Sequence, residues 1–301
     1  MSTRPRTLLR YATFLALFGA VLYAVVSVAV AYKVWHPLRR PLHTTPAAYG
    51  LPYAEVQFPS AGDNIPLKGW FIDSPGAKTV LVMHGSNSTR DNYINMELSK
   101  ALVQHGYDVL TFDFRGHGES GGDLTSIGEW ESRDVAGALA YLKQRGIVEA
   151  GALAYSMGAS AELLAAPDHP EMRAIVADSS YADLFTIMDR QRAKIPGLSS
   201  IFSPGILLAS KLLYGVDPLA TQPKRAIARL GDRPVLLIQS SVDDLIPVSE
   251  AYKLQQAGAA DPNLTLWVAP GSGHVTSFAD NREEYLRRVI GFFDKYLAGK
   301  P

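Results

Sequence analysis

Residues 11–31 carry no charge and are dominated by Leu, Val, Ala and Phe, between Arg10 and Lys33. Wound as a helix, that run is about 31 Å long, the thickness of a bilayer's hydrocarbon core. It has no polar face, whereas a helix on a soluble domain usually keeps one. Pro37, Pro41, Pro46 and Pro52 then punctuate a stretch that reads as an extended linker. Beyond it the pattern breaks into short blocks. Residues 54–58 and 67–72 read as paired strands around the turn Ala61-Gly62-Asp63-Asn64. Apolar runs at 79–83, 109–112, 151–155, 174–177, 234–239 and 264–268 read as buried strands. Helical periodicity marks 91–105, 126–145, 249–256 and 282–297.

Strands that alternate with helices of this length build parallel βαβ units. The expected fold is therefore α/β, a doubly wound, mostly parallel sheet with an antiparallel hairpin at one edge. Between about 182 and 233 the alternation lapses into apolar and proline-containing helical segments. This reads as a small helical lid over the sheet, with ordinary connecting helices as the alternative. The organisation is then a tail at 1–10, a transmembrane helix at 11–32, a linker at 33–52 and one domain at 53–301. There is no internal repeat.

The N-terminal run has two readings: an uncleaved anchor, or a signal peptide cut after Ala29-Val30-Ala31, which has the small-x-small form. Its length favours the anchor, with Tyr23 and Tyr32 expected near the far interface. Arg4, Arg6 and Arg10 precede it and Lys33, Arg39 and Arg40 follow, so the flanking charges tie. The short tail favours a single-pass protein with its domain outside the cytoplasm, on the periplasmic side of a bacterial inner membrane. Asn87-Ser88-Thr89 is a glycosylation sequon near the expected site, which disfavours a eukaryotic secretory route.

Composition mostly excludes. The 301 residues hold 29 basic and 29 acidic side chains in no basic block, so no nucleic-acid partner is expected. Cysteine is absent, which removes disulfides, thiolate metal sites and a cysteine nucleophile. No cofactor and no metal are expected.

The chemistry concentrates at Ala154-Tyr155-Ser156-Met157-Gly158, where an apolar strand stops at a serine with small residues two before and two after it. That is the layout of a nucleophile elbow, a strained strand-to-helix turn that exposes a hydroxyl. A serine needs a base, and the base needs a partner to fix its tautomer. Behind two later strands come Asp243-Asp244 and Gly271-Ser272-Gly273-His274. Both lie at strand C-terminal ends, where open α/β sheets place their sites. Oxyanion donors are expected from the backbone N–H groups of Met157 and of Ser86, in the loop His84-Gly85-Ser86-Asn87. His84 is expected to hold that loop rather than to react. Asp113, His117 and Glu119 in the next loop read as structural, a metal site being the alternative.

The ordered set His84-Gly85, Asp113-x-Arg115-Gly116-x-Gly118-x-Ser120, Ser156, Asp243-x-x-Ile246-Pro247 and Gly273-His274 resembles the α/β-hydrolases of the serine esterase and serine aminopeptidase-like group. Ala177-Asp178-Ser179-Ser180-Tyr181-Ala182-Asp183 adds a sixth signature. The nearest likeness is to anchored single-domain members, such as bacterial esterases of the fermentation–respiration switch type and anchored α/β-hydrolase-domain proteins of animals. It covers roughly residues 54–298 and implies an α/β-hydrolase fold. It also implies Ser156, Asp243 and His274 as a catalytic triad cleaving carboxylic esters, acyl or lipid-type, through an acyl-enzyme. Peptidase, amidase or thioesterase action, or ligand binding without catalysis, are the alternatives. Asp243 is preferred to Asp244 because the family's acid lies four residues before a loop proline, here Pro247. Ala154 and Ser240 depart from the family's glycines. Phe185, Ile201, Phe202 and Leu212 are candidates for an acyl pocket, or equally for core packing.

Overall fold

The computed structural model describes residues 4–297 except 77 and 272; the first three residues of the expected tail and 298–301 of the expected domain lie outside the described residues. Eight strands form one sheet: β1 (Ala54–Pro59), β2 (Pro66–Ile72), β3 (Lys78–Met83), β4 (Tyr107–Phe112), β5 (Ala150–Tyr155), β6 (Met172–Asp178), β7 (Val235–Ser240) and β8 (Leu264–Ala269). Their order is β1-β2-β4-β3-β5-β6-β7-β8. β2 runs antiparallel to both β1 and β4, and every other pairing is parallel. The central strands are covered on both faces, which is why they read as unbroken apolar runs. Leu81 and Met83 of β3 face a core shared with α3 (Glu131–Gln144), α4 (Met157–Ala165) and α8 (Val248–Ala257). Val80 and Val82 face the opposite core, with α2 (Tyr93–Gln104), α9 (Ser277–Asp280) and α10 (Arg282–Tyr296).

Helix α3 begins later than its periodicity suggests. Its buried Glu131 carboxylate accepts hydrogen bonds from Thr125 Oγ1 at 2.7 Å, Ser126 Oγ at 2.8 Å and Gly128 N at 2.7 Å. Those bonds hold 125–128 as a loop, with Ile127 at φ 57° and Gly128 at φ 139°. A side chain outcompetes the helical ladder there.

The N-terminal helix α1 (Arg4–Trp35) exceeds the expected span at both ends and takes in the start of the expected linker. One of its faces is packed. Ser27, Ala31 and Trp35 are buried at a four-residue spacing, against α6 (Ser203–Tyr214). Tyr23 stacks on Phe202 with ring centroids 5.3 Å apart, and Trp35 Nε1 donates to Ser210 Oγ at 2.9 Å. A Cβ on Gly205 would lie 2.3 Å from Ser27 Oγ, so glycine is what lets the two helices approach this closely. The order of these contacts makes α1 and α6 parallel.

Residues 36–52 are not a free tether. Leu38 N donates to Asn87 Oδ1 at 2.7 Å, and the Arg39 guanidinium grips the carbonyls of Gly118, Ser120 and Gly122. The amides of His43 and Thr44 both donate to Asp91 Oδ2, at 2.5 and 3.0 Å.

The expected lid divides in two. Helices α5 (Leu184–Ala193) and α6 cover the ends of the strands beside Ser156. Helix α7 (Pro223–Ile227) instead packs on α4 and α8 and puts Ile227 into the main core, as a connecting helix does.

Candidate active site

At the C-terminal end of β5 the chain turns sharply. Ser156 adopts φ 56°, ψ −125°, and α4 begins at the next residue. A non-glycine residue held there costs of order 1–3 kcal/mol, so its surroundings must over-determine it. Ser156 N donates to the carbonyl of Asp178 at 2.8 Å, and Ser160 N to the carbonyl of Ser156 at 3.1 Å. A Cβ on Gly158 would fall 2.5 Å from the His84 carbonyl oxygen and 3.3 Å from the Ala154 Cβ. Glycine at 158 is therefore compulsory, and because it is glycine, the extra methyl at Ala154 fits.

The loops after β7 and β8 bring their residues to this turn. The Ser156 hydroxyl donates to His274 Nε2 at 2.8 Å, and His274 Nδ1 donates to Asp243 Oδ2 at 2.7 Å. Asp243 is buried and accepts three further bonds: Leu245 N and Ile246 N to Oδ1, each at 2.8 Å, and Gln239 Nε2 to Oδ2 at 3.0 Å. Four donors fix the carboxylate in place. Asp244 is exposed, and its backbone carbonyl takes the Lys194 ammonium at 2.6 Å.

Two histidines hold the loop after β3. His84 Nδ1 donates to the Gly85 carbonyl at 2.7 Å, and its Nε2 accepts from Phe114 N at 3.1 Å. His117 Nδ1 donates to the Arg115 carbonyl at 2.8 Å, and its Nε2 accepts from Asn87 N at 3.1 Å. Each ring has one donor and one acceptor committed, as only neutral imidazole allows. Burial accordingly pulls both below the usual histidine range, His84 down to about 3 with His117 beside it as the second cause. Neither ring is bonded to Ser156. Asp113 and Glu119 both pair with Arg90, and no group of metal-ligating side chains occurs among the described residues. The Asn87 Oδ1 accepts from Leu38 N at 2.7 Å, tying this loop to the segment after α1.

Ser156 lies between two cavities. One, of about 360 Å³, is lined by Ser86, Ser156 and Met157, by Phe185 and Met188 of α5, and by Ile206 of α6. The other, of about 490 Å³, runs past Gly85, Ser86, Tyr93 and His274. Ser86 belongs to both, and the Met157 N–H is the first of α4, one of the amides that no helical carbonyl satisfies. Of the four acyl-pocket candidates only Phe185 faces a cavity. Phe202 stacks on Tyr23, and Ile201 and Leu212 point outward. The sequence reading missed Val30, Lys33 and Val34 of α1, which line the 360 Å³ cavity. A run with no polar face gives no sign of which side meets a cavity.

The family model for serine aminopeptidase S33 matches residues 74–198. YqkD, an uncharacterised protein of Bacillus subtilis, is 30% identical over 241 residues, 76% of this chain and 75% of that one. The Pyrococcus furiosus esterase Pf2001 superposes with a TM-score of 0.74 at 28% identity, over 87% of this chain and 98% of that chain. An esterase domain from a Rhodothermus marinus protein, at 19% identity and a TM-score of 0.61 over 82% of this chain, shares the fold. With a strained serine at the end of the central strand and relatives of this kind on both sides of the comparison, the chain belongs to the α/β-hydrolase superfamily of serine hydrolases.

Proposed function

We propose that this protein is a membrane-anchored serine hydrolase that cleaves carboxylic esters through an acyl-enzyme. The unbroken relay from Ser156 through His274 to the buried Asp243 carries the reading. His274 takes the hydroxyl proton as Ser156 Oγ attacks the ester carbonyl, and Asp243 steadies the imidazolium that forms. The amides of Met157 and Ser86 receive the oxyanion. His274 then returns the proton to the departing alcohol, and a water repeats the sequence to free the acid. The apolar cavity suits the acyl group, and the more open one beside His274 suits the alcohol and the incoming water.

The same relay can cut amides or thioesters. An ester is favoured over an aminopeptide because Asp189, the one carboxylate among the described lining residues, is already paired with Arg192 at 2.8 Å. That leaves no free acid for a substrate ammonium. Retention of α1 as an anchor, rather than its removal, is supported by the burial of Ser27, Ala31 and Trp35 against the lid. Cleavage after Ala31 would strip Val30 from the cavity wall.

Full-length protein in detergent should hydrolyse p-nitrophenyl esters and take up a fluorophosphonate probe. Ser156→Ala should abolish labelling and lower the rate at least about 10⁴-fold. Full labelling of that variant would refute the assignment.

A further inference from the structure

One wall of the 360 Å³ cavity is built from the helix that precedes the domain. Val30, Lys33 and Val34 of α1 form one wall, and Ile206 and Leu207 of α6 continue it. The position of α6 along α1 then follows from lengths. Contact between the helices begins at Tyr23, which meets Phe202, and continues through Ser27 beside Gly205 to Trp35 and Ser210. Between Arg10 and that first contact lie only residues 11–22. At 1.5 Å per residue they reach about 18 Å, well short of a hydrocarbon core of about 30 Å. A span that starts after Arg10 must therefore include residues 23–31, the stretch that carries α6 alongside.

The outer face of α6 is suited to that depth. Leu208 and Leu212, one turn apart, are 59% and 72% exposed, and Ile201, in the 3-10 turn that leads into the helix, is 64% exposed. Lys211 is the single charge in α6; it pairs with Asp217 at 2.9 Å, near the level of Trp35, where the apolar run of α1 has ended. Lys33, exposed at the cavity edge, marks the same level on α1. An apolar stripe ending in lysines matches an acyl layer bordered by headgroups.

We propose that α6 is a second, monotopic part of the anchor, its outer stripe seated in the acyl layer of the bilayer. The cavity behind it then receives a bilayer-resident ester with a long acyl chain sideways from the membrane, without passage through water. This rests on the anchor and ester-hydrolase readings above, and the experiment separates them.

The chain has no cysteine, so single-cysteine variants need no background removed. Full-length Leu15→Cys, Leu208→Cys, Leu212→Cys and Tyr252→Cys are reconstituted in phosphatidylcholine–phosphatidylglycerol vesicles opened on both sides, and exposed to a membrane-impermeant maleimide. Tyr252, on the solvent side of α8, should label fast, and positions 208 and 212 at least tenfold more slowly, like position 15. Labelling of 208 and 212 as fast as 252, with 15 protected, overturns the seating of α6 alone. Labelling of position 15 as well overturns the anchor and the proposal together. In the same vesicles Leu208→Ser/Leu212→Ser should keep its rate on p-nitrophenyl acetate within twofold and lose at least tenfold on 4-methylumbelliferyl palmitate dissolved in the bilayer. Equal rates of variant and wild type on the palmitate ester overturn the proposal. No hydrolysis of the acetate by wild type removes the hydrolase reading, and with it the substrate half of the proposal.

Discussion

The loops around Ser156 and the seam between α1 and α6 sit on opposite sides of one cavity and are built by opposite means. Around Ser156, position is set by buried polar groups with named partners: two neutral histidines, an Arg90–Asp113 pair, and a carboxylate with four donors. Along the seam it is set by small residues, one aromatic stack and a single tryptophan hydrogen bond, with bare leucines outside. The first construction gives directional precision, which proton transfer needs. The second gives close approach with few directional constraints, which suffices for a wall of the cavity.

The largest test of that contrast falls on the carboxylate. Asp243→Asn keeps the side-chain shape but presents the wrong partner to His274 Nδ1, and should lower kcat about 10³–10⁴-fold. Asp244→Asn, altering an exposed neighbour, should stay near wild type. If steady-state rates reverse that order, the relay described for Asp243 is not the working one.

A smaller effect appears in stability against pH. His84 stays neutral in the folded protein because its value lies near 3, while the unfolded chain takes up a proton below about 6.5. Stability supplied by His84 is therefore full above pH 6.5 and drains away as pH falls towards 3. Thermal melts of wild type and His84→Asn should show the wild-type advantage shrinking by about 2 kcal/mol between pH 7 and pH 5. Asp178, which burial pushes up to about 6, has the opposite sign and is common to both proteins, so the difference isolates the histidine. A constant gap across that range would mean His84 is not held neutral.

The smallest change belongs to the seam. Trp35→Phe removes the bond to Ser210 and should cost about 1 kcal/mol in the melting of the full-length protein. Ser210 Oγ still donates to the Ile206 carbonyl at 2.7 Å, which limits the loss. A loss as large as that expected at pH 5 for His84 would place the seam in the same constructional class as the loops.

The contrast also decides what could be read from the sequence. Each feature of the turn at Ser156 follows from local geometry. A buried strand must end where its apolar run ends, glycine must stand where the backbone approaches, and acid and imidazole must lie at neighbouring strand ends. Residues 156, 243 and 274 are legible for that reason, and so is the sheet, whose strands are continuous apolar runs. The late start of α3 was not legible, because it depends on one glutamate collecting donors from its own loop. Nor was the side of α1 that meets the lid. Serine at 27 and alanine at 31 differ little from their neighbours in a run of small and aliphatic residues, and only Gly205, 178 positions after Ser27, gives them meaning. The linker misled for a similar reason. Proline spacing gives an extended backbone correctly, but it does not show that Arg39 will find three carbonyls to hold.

That grip has a consequence for the protein's turnover. Proteases that release tethered enzymes need several residues of chain able to leave the surface and lie extended in their cleft. Residues 38, 39, 43 and 44 are each fastened to the body, and the helix before them is packed on the lid. On the anchored reading, shedding therefore finds no slack to cut. For the anchored enzyme proposed above, a diffusible form would have to arise by unfolding part of the site itself, which would make its location and its working lifetime one property.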